Sequence, residues 1–338
     1  MGKNMYILIA TVFGAVLLLS ACGEKSQEDV VGKLEENLES MSGYKATAEM
    51  AMNTGEEEQT FMIDIWHKKK DFYRVQLTND QDEQESQIIL KNEEGVFVLT
   101  PALDKSFKFQ SEWPENSSQP YLFQSLVNDI VADGEASFNA TDSHYVFQTK
   151  TNYQSNNNLP YQEIRFNKKD FTPEAVKVLD KDKNAVIDVA FTSFDLDPSF
   201  EENDFALEDN MTSATAYAED VEEEQSDSFS VLFPLETAGS ELSEKKEKEL
   251  DDGKRVIMTF EGEKHFTLIE EKRTAAPALS EPKEVEGDIV NLGHSIGVLG
   301  DNAIEWSADG IYFYLASEEL TKEELIDVAQ SVQGKEIK

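Results

Sequence analysis

The feature that most constrains this chain is a period of two. Between residues 44 and 196, apolar side chains return at every second position in short runs separated by turn residues. In residues 185–194, Ile187, Val189 and Phe191 share one side, while Asp188, Ala190 and Thr192 share the other. In residues 72–77, Tyr73, Val75 and Leu77 oppose Phe72, Arg74 and Gln76. Successive strand side chains point to opposite faces, so this pattern predicts strands with one buried face. Strands are expected near 44–52, 60–66, 72–78, 86–91, 95–100, 106–110, 136–141, 144–151, 161–167, 175–179 and 185–194. Polar links such as "NEEG", "NKKDFTP" and "DKDKN" join them, and regular short links imply an antiparallel meander.

Two segments depart from that period. Residues 29–41 place Val30, Val31, Leu34, Leu38 and Met41 at helical spacing, with Ser42 and Gly43 as the stop. Glutamates rather than lysines fill its polar side, which fits packing on a sheet rather than lying on a membrane. Residues 120–132 carry Leu122, Phe123, Leu126, Val127, Ile130 and Val131, and predict a helix inserted into the β region.

Residues 208–227, "EDNMTSATAYAEDVEEEQSD", are acidic and lack periodicity, so 208–228 reads as a solvated linker between two domains, 30–207 and 229–338. The second domain has expected strands near 230–234, 255–260, 265–270, 288–292, 295–299, 303–306 and 311–315. A last helix starts at Thr321, with Glu324 as its capping-box partner and Leu325, Val328, Ala329 and Val332 as its apolar side. The expected class is α+β, mainly β with a few helices.

Charge narrows the functions. The 338 residues include 68 acidic and 30 basic side chains, a formal net charge of -38. A polyphosphate partner needs a basic footprint, so nucleic acid is excluded. The same field keeps the chain off an anionic membrane unless something anchors it. An anchor is present in the sequence. Lys3, an apolar run over 5–19 and small residues before Cys22 have the layout of a secretory signal peptide. Cys22 is the one cysteine of the chain, and "LSAC" resembles the bacterial lipobox. That resemblance implies cleavage after residue 21 and diacylglycerol on Cys22, with acyl chains such as palmitate. Residues 22–29 then form a tether outside the cytoplasm, at the bacterial cell membrane. A lone cysteine excludes a disulfide framework and a multi-cysteine metal site.

Chemistry-bearing patterns are sparse. His67, His144, His265 and His294 lie in separate strands or turns and have no HExxH spacing, so no metal is expected. "GHSIG", residues 293–297, matches G-x-S-x-G around Ser295. A nucleophile elbow needs a helix after the serine, and residues 296–306 read instead as strand and turn. Residues 180–184 have carboxylates that suit calcium, without the EF-hand pattern. "WHKKKDFYRVQL", residues 66–77, reads as a hairpin whose lysines sit at the bend, where they can touch acidic headgroups.

The order of elements, "SQIILKNEEGVFVLTPALDKSFKF" (86–109) and "FDLDPSFEENDFAL" (194–207) resemble the LolA/LolB-type lipoprotein carrier family. With its C-terminal domain, the layout resembles LolA-like sporulation lipoproteins of Gram-positive bacteria. The resemblance implies a curved antiparallel sheet, a half-barrel with a helical lid, and a concave apolar face for acyl chains. Phe61, Ile63, Tyr73, Val75, Leu77, Ile187, Val189 and Phe191 are the expected lining, and Arg74 the residue that holds the lid. A surface arginine paired with a local carboxylate is the alternative for Arg74. The resulting expectation is a non-enzymatic, anchored protein without cofactor that binds a lipid or lipidated ligand in cell-envelope or sporulation processes. An envelope sensor or assembly factor that contacts a membrane protein is the second possibility, and a hydrolase using Ser295 the third.

Overall fold

The computed structural model describes residues 24–53, 58–69, 71–79, 86–109, 113–114, 118–153, 159–218, 231–250, 253–273, 282–292, 295–308 and 310–334. The expected signal segment, Cys22, Lys70 and His294 lie outside the described residues.

In chain order the first elements are α1 (Gln27–Ser40), β1 (Gly43–Asn53), β2 (Glu58–Lys68), β3 (Phe72–Asn79), β4 (Gln87–Asn92), β5 (Gly95–Thr100) and β6 (Lys105–Phe109). Then come α2 (Phe123–Ala132), β7 (Ser137–Ala140), β8 (His144–Lys150), β9 (Tyr161–Asn167), β10 (Pro173–Leu179), β11 (Ala185–Leu196) and α3 (Leu207–Ala218). The later elements are β12 (Phe233–Pro234), β13 (Ser240–Leu250), β14 (Gly253–Gly262), β15 (Phe266–Arg273), β16 (Lys283–Val285), β17 (Asp288–Asn291), β18 (Ile296–Leu299), β19 (Ala303–Ala308) and β20 (Ile311–Ala316). Helix α4 (Lys322–Gln330) and β21 (Val332–Gly334) close the described chain.

The main sheet runs β16-β6-β5-β4-β3-β2-β1-β11-β10-β9-β8-β7. Its pairs are antiparallel except β16 with β6. The first and eleventh strands meet in the middle, so β6 and β7 lie at opposite ends. Ten strand spacings at about 4.8 Å put roughly 48 Å of sheet between them. The chain from β6 to β7 must therefore pass over a face, and α2 is part of that crossing. The inserted helix is thus a consequence of the topology. Gly43 lets β1 begin where it does, since a Cβ there would collide with His67 O on β2.

One face of this sheet carries a single large apolar cluster. Tyr44, Ala46, Ala48, Met50 and Met52 of β1 join Ile63, Tyr73, Val75, Ile89, Val98, Phe147, Ile164, Phe166 and Val176 from neighbouring strands. Helix α1 contributes Val30 and Leu34, and α2 contributes Phe123, Leu126, Val127 and Ile130. Ser26 caps α1 in a reciprocal box with Asp29, and those hydrogen bonds hold the Asp29 carboxyl below its usual range.

The opposite face carries a smaller cluster. Ile88, Leu90, Phe97 and Leu99 pack there with Phe205 and Met211. This corrects the expected linker: residues 207–218 are helical, and α3 begins by burying Asn210 and Met211 against the sheet. Phe205, Leu207 and Met211 supply the anchor that the surrounding acids conceal in composition. Residues 219–228 lie outside the described residues.

The second sheet runs β13-β14-β15-β20-β19-β18-β17, with α4 on one face. Thr321 caps α4 in the box expected with Glu324, and Leu325, Val328 and Ala329 are buried. β13 was not expected. Its sequence, SELSEKKEKEL, is exposed along most of its length and shows no apolar alternation. The second sheet also touches the first. Ile289, Ile296 and Val298 belong to the main cluster, and β16 extends the first sheet at β6. The Gln87 side chain behaves like a strand partner: its Oε1 accepts from Ile296 N at 2.7 Å and its Nε2 donates to Ile296 O at 3.4 Å.

Candidate functional site

The concave face collects the expected lining residues. Phe61, Ile63, Tyr73, Val75, Leu77, Ile187 and Val189 are buried in the main cluster, and Phe191 is partly buried against it. Register explains this convergence. Phe61 pairs with Met50, Met50 with Val189, Val189 with Val176, Val176 with Ile164 and Ile164 with Phe147. A single cross-strand row therefore carries apolar side chains from β2 to β8. Helices α1 and α2 cover it.

The cover is latched by tyrosines. Tyr73 on β3 donates its hydroxyl to Gln124 Oε1 at 2.7 Å. Tyr44 on β1 accepts from Phe123 N at 3.3 Å, one of the orphan donors at the start of α2. Leu122, the residue preceding the helix, makes no side-chain cap. Burial pushes the Tyr44 hydroxyl well above its usual pKa, so it stays neutral and keeps both hydrogen-bonding capacities. His67 lies between these tyrosines, with ring centroids 4.4 Å from Tyr73 and 5.3 Å from Tyr44. Its Nδ1 lies 3.2 Å from Phe72 O. Desolvation lowers its pKa despite that carbonyl and nearby Asp71, which keeps the ring uncharged at neutral pH.

Arg74 differs from expectation. It alternates with Tyr73 and Val75, so it faces the outer side, away from α1 and α2. Its Nε donates to Asn210 Oδ1 at 2.6 Å, and its guanidinium donates to Gln76 Oε1 at 2.6 Å. The same group lies 4.6 Å over the Trp66 ring, and Lys45 lies 4.1 Å from that ring. Arg74 therefore fastens α3 to the convex face. The hydrogen bonds that join the sheet to α2 come instead from Tyr44 and Tyr73, to Phe123 N and Gln124 Oε1. Sequence reading missed Gln124 and Tyr44 because their contacts join positions far apart in the chain.

The hairpin at residues 66–77 forms as expected, with Lys69 and Asp71 in its bend. Lys69 Nζ donates to Glu39 O at 2.6 Å. Ser295 is buried, and β18 follows it directly instead of a helix. The next backbone N–H, which an elbow would use as an oxyanion donor, is spent on Gln87. That geometry does not support nucleophilic attack. Residues 180–184 form a turn closed by Asp180, which accepts from Asn184 N at 2.8 Å. His144 bonds Ser143 and pairs with Glu174 of β10, and His265 donates its backbone N–H to Glu319. Among the described residues, no group of three His, Cys, Asp or Glu side chains is placed to hold a metal.

Comparison with known families matches residues 2–205 to the sporulation protein YdcC-like family. The chain belongs to this family. Sporulation protein YdcC of Bacillus subtilis is 48% identical over 337 residues, covering 99% of each chain. Among solved structures, the Pseudomonas aeruginosa MucA/MucB complex covers 91% of this chain and 100% of its own, at 13% identity and a TM-score of 0.35. LolA superfamily protein NE2245 from Nitrosomonas europaea covers 55% of this chain and 99% of its own, at 9% identity and a TM-score of 0.32. At those scores the description of the family's sheet rests on the topology and register given above.

Proposed function

We propose that the chain is an envelope-side lipoprotein of sporulating cells, tethered through Cys22, that takes an acyl chain between its main sheet and α2. One observation carries this reading: a continuous apolar row across six strands is covered by a short helix whose start is fixed through two tyrosine hydroxyls. The energies match. Exposing Phe123, Leu126, Val127 and Ile130 of α2 costs roughly 6–12 kcal/mol at ~1.5–3 kcal/mol per side chain. An acyl chain of ~14 methylenes buried in their place returns ~11 kcal/mol at ~0.8 kcal/mol each. Acyl binding can therefore offset lid opening, whereas a short ligand cannot. The sporulation role follows the B. subtilis relative, and the Cys22 anchor follows the lipobox.

A second reading, a scaffold that works through protein contacts, is favoured by how completely the face is covered. Ile63, Tyr73 and Val75 are each 0% exposed. The test is binding of an environment-sensitive fatty-acid probe to purified residues 24–338, with mass analysis of extracted lipid. Saturable fluorescence enhancement that a C16 acyl chain displaces supports the acyl-chain reading. Neither probe binding nor extracted lipid would leave the scaffold reading.

A further inference from the structure

Polar groups at the rim of the concave face have no part in the latch. A second cross-strand row runs Gln59, Met52, Ile187, Val178, Gln162, Thr149. Its middle is apolar and includes Ile187. Its β9 position is an amide where Ile164 and Phe166 lead one to expect another apolar side chain.

Gln162 is 1% exposed. Its Nε2 donates to Asp129 Oδ2 at 2.7 Å and reaches Lys150 O at 3.5 Å. Its Oε1 is buried and, among the described residues, accepts no hydrogen bond. The Tyr153 hydroxyl is also buried and has no hydrogen-bond partner among the described residues, and its pKa is raised by burial first and then by the nearby Asp129 charge. Tyr121, buried beside it, has its hydroxyl committed to Gln119 Oε1 at 2.9 Å. Asp129, on α2, is bonded by Gln162 and Ser118, and among the described residues no cation pairs with it. A buried polar atom without a partner is destabilising, and two of them stand here around a carboxylate that no described cation pairs.

The unmet valences define a guest. Gln162 Oε1 and the Asp129 carboxylate accept, and Tyr153 can accept as well. A guest that suits them donates several hydrogen bonds and carries positive charge. A primary ammonium has three donors and no acceptor, whereas an alcohol brings one donor and a carboxylate none. The row from Gln162 through Val178 to Ile187 leads from this cluster into the apolar face.

We propose that Asp129, Gln162 and Tyr153 form a binding site for the primary ammonium group of a single-chain amphiphile, whose hydrocarbon lies along the row toward Ile187. This deepens the acyl-chain reading above and rests on it. Burial pushes the Asp129 carboxyl up to about 6, so it is ionised and ready for a cation above that pH. Tyr121 and Tyr153 face it as neutral phenols. Asp133 and Lys150 stand at the next partner, Thr149.

The test titrates residues 24–338 with dodecylamine, dodecanol and dodecanoate as monomers, at about pH 7.5 and about pH 5. The amine is expected to bind about tenfold tighter than the alcohol at the higher pH, and dodecanoate weakest. The preference should collapse at the lower pH and in Asp129→Asn and Gln162→Leu. The bulk negative charge would favour the amine in every variant and at both pH values, so only a preference that Asp129 controls supports the site. Equal binding of amine and alcohol, or a preference unchanged at low pH, overturns the site and leaves ordered water as its occupant. The pH arm needs no variant, so a misfolded substitution does not spare the proposal. If none of the three binds, the acyl-chain reading fails, and the site with it.

Discussion

Replacing Glu270 with glutamine probes how the second sheet holds a carboxyl in its core. Glu270 follows Phe266 and Leu268 on the α4-facing side of β15 and is 0% exposed. Both its oxygens face Leu232 N, at 3.1 and 3.2 Å. Burial pushes its pKa from 4.5 to about 8, against the smaller opposing pulls of that N–H and of Lys245. Between those values the folded chain holds a proton that the unfolded chain has released. Stability from this group is therefore complete below about pH 4.5 and is lost as pH rises through the window. Each pH unit is worth about 1.36 kcal/mol, so rising from about pH 5.5 to about pH 7.5 costs roughly 2.5 kcal/mol. Glutamine cannot ionise and keeps an oxygen for Leu232 N. Glu270→Gln should thus gain roughly 2.5 kcal/mol on the parent between about pH 5.5 and about pH 7.5. Urea unfolding at three pH values, followed by tryptophan emission, measures this, since Trp306 lies in the same cluster. The general relief of acidic repulsion at low pH acts on both proteins and cancels in the difference. Parallel pH dependences in parent and variant would refute the buried-carboxyl account.

Tyr73→Phe removes the bond to Gln124, should cost about 1 kcal/mol, and should speed uptake of an acyl probe in stopped-flow mixing. Arg74→Met should cost about 1–3 kcal/mol and raise amide exchange at the start of α3, while probe affinity stays unchanged. Lost affinity there would return Arg74 to the lid. Gln87→Leu leaves Ile296 N without its acceptor, so about 1–3 kcal/mol of stability should vanish and β18 should become the first strand of the second sheet to exchange.

The strands were legible in the sequence where one face is buried and the other wet. β1, β3, β9 and β11 announce themselves because burial alternates along them. β13 does not, since both its faces meet water and its identity comes only from pairing with β14. Helix α3 was hidden for the converse reason: three apolar side chains anchor a segment whose remaining composition is that of a solvated tether. Which residues share a face was readable, because strand parity assigns each residue a side; which of the two faces the helices cover was not. The latch and the amine-type cluster were not. Tyr73 with Gln124 and Asp129 with Gln162 are meetings between a helix and a sheet that local periodicity does not register. One local sign did exist: Gln162 interrupts an otherwise apolar parity, and a polar residue on a buried face is a candidate for function.

The parallel partner of β6 sets a timetable for synthesis. Residues 283–285 emerge roughly 180 residues after β6, and at ~5–20 residues per second that is a delay of about 10–35 s. Through that interval β6 is the open edge of the sheet, a strand whose Ser106, Phe107 and Phe109 are buried in the finished fold. Such an edge is a template for pairing with another chain. A nascent chain therefore has reason to be escorted until residues 283–285 arrive. A version truncated after the family-matching region would keep that edge permanently, and self-association rather than loss of the β fold is the failure to look for.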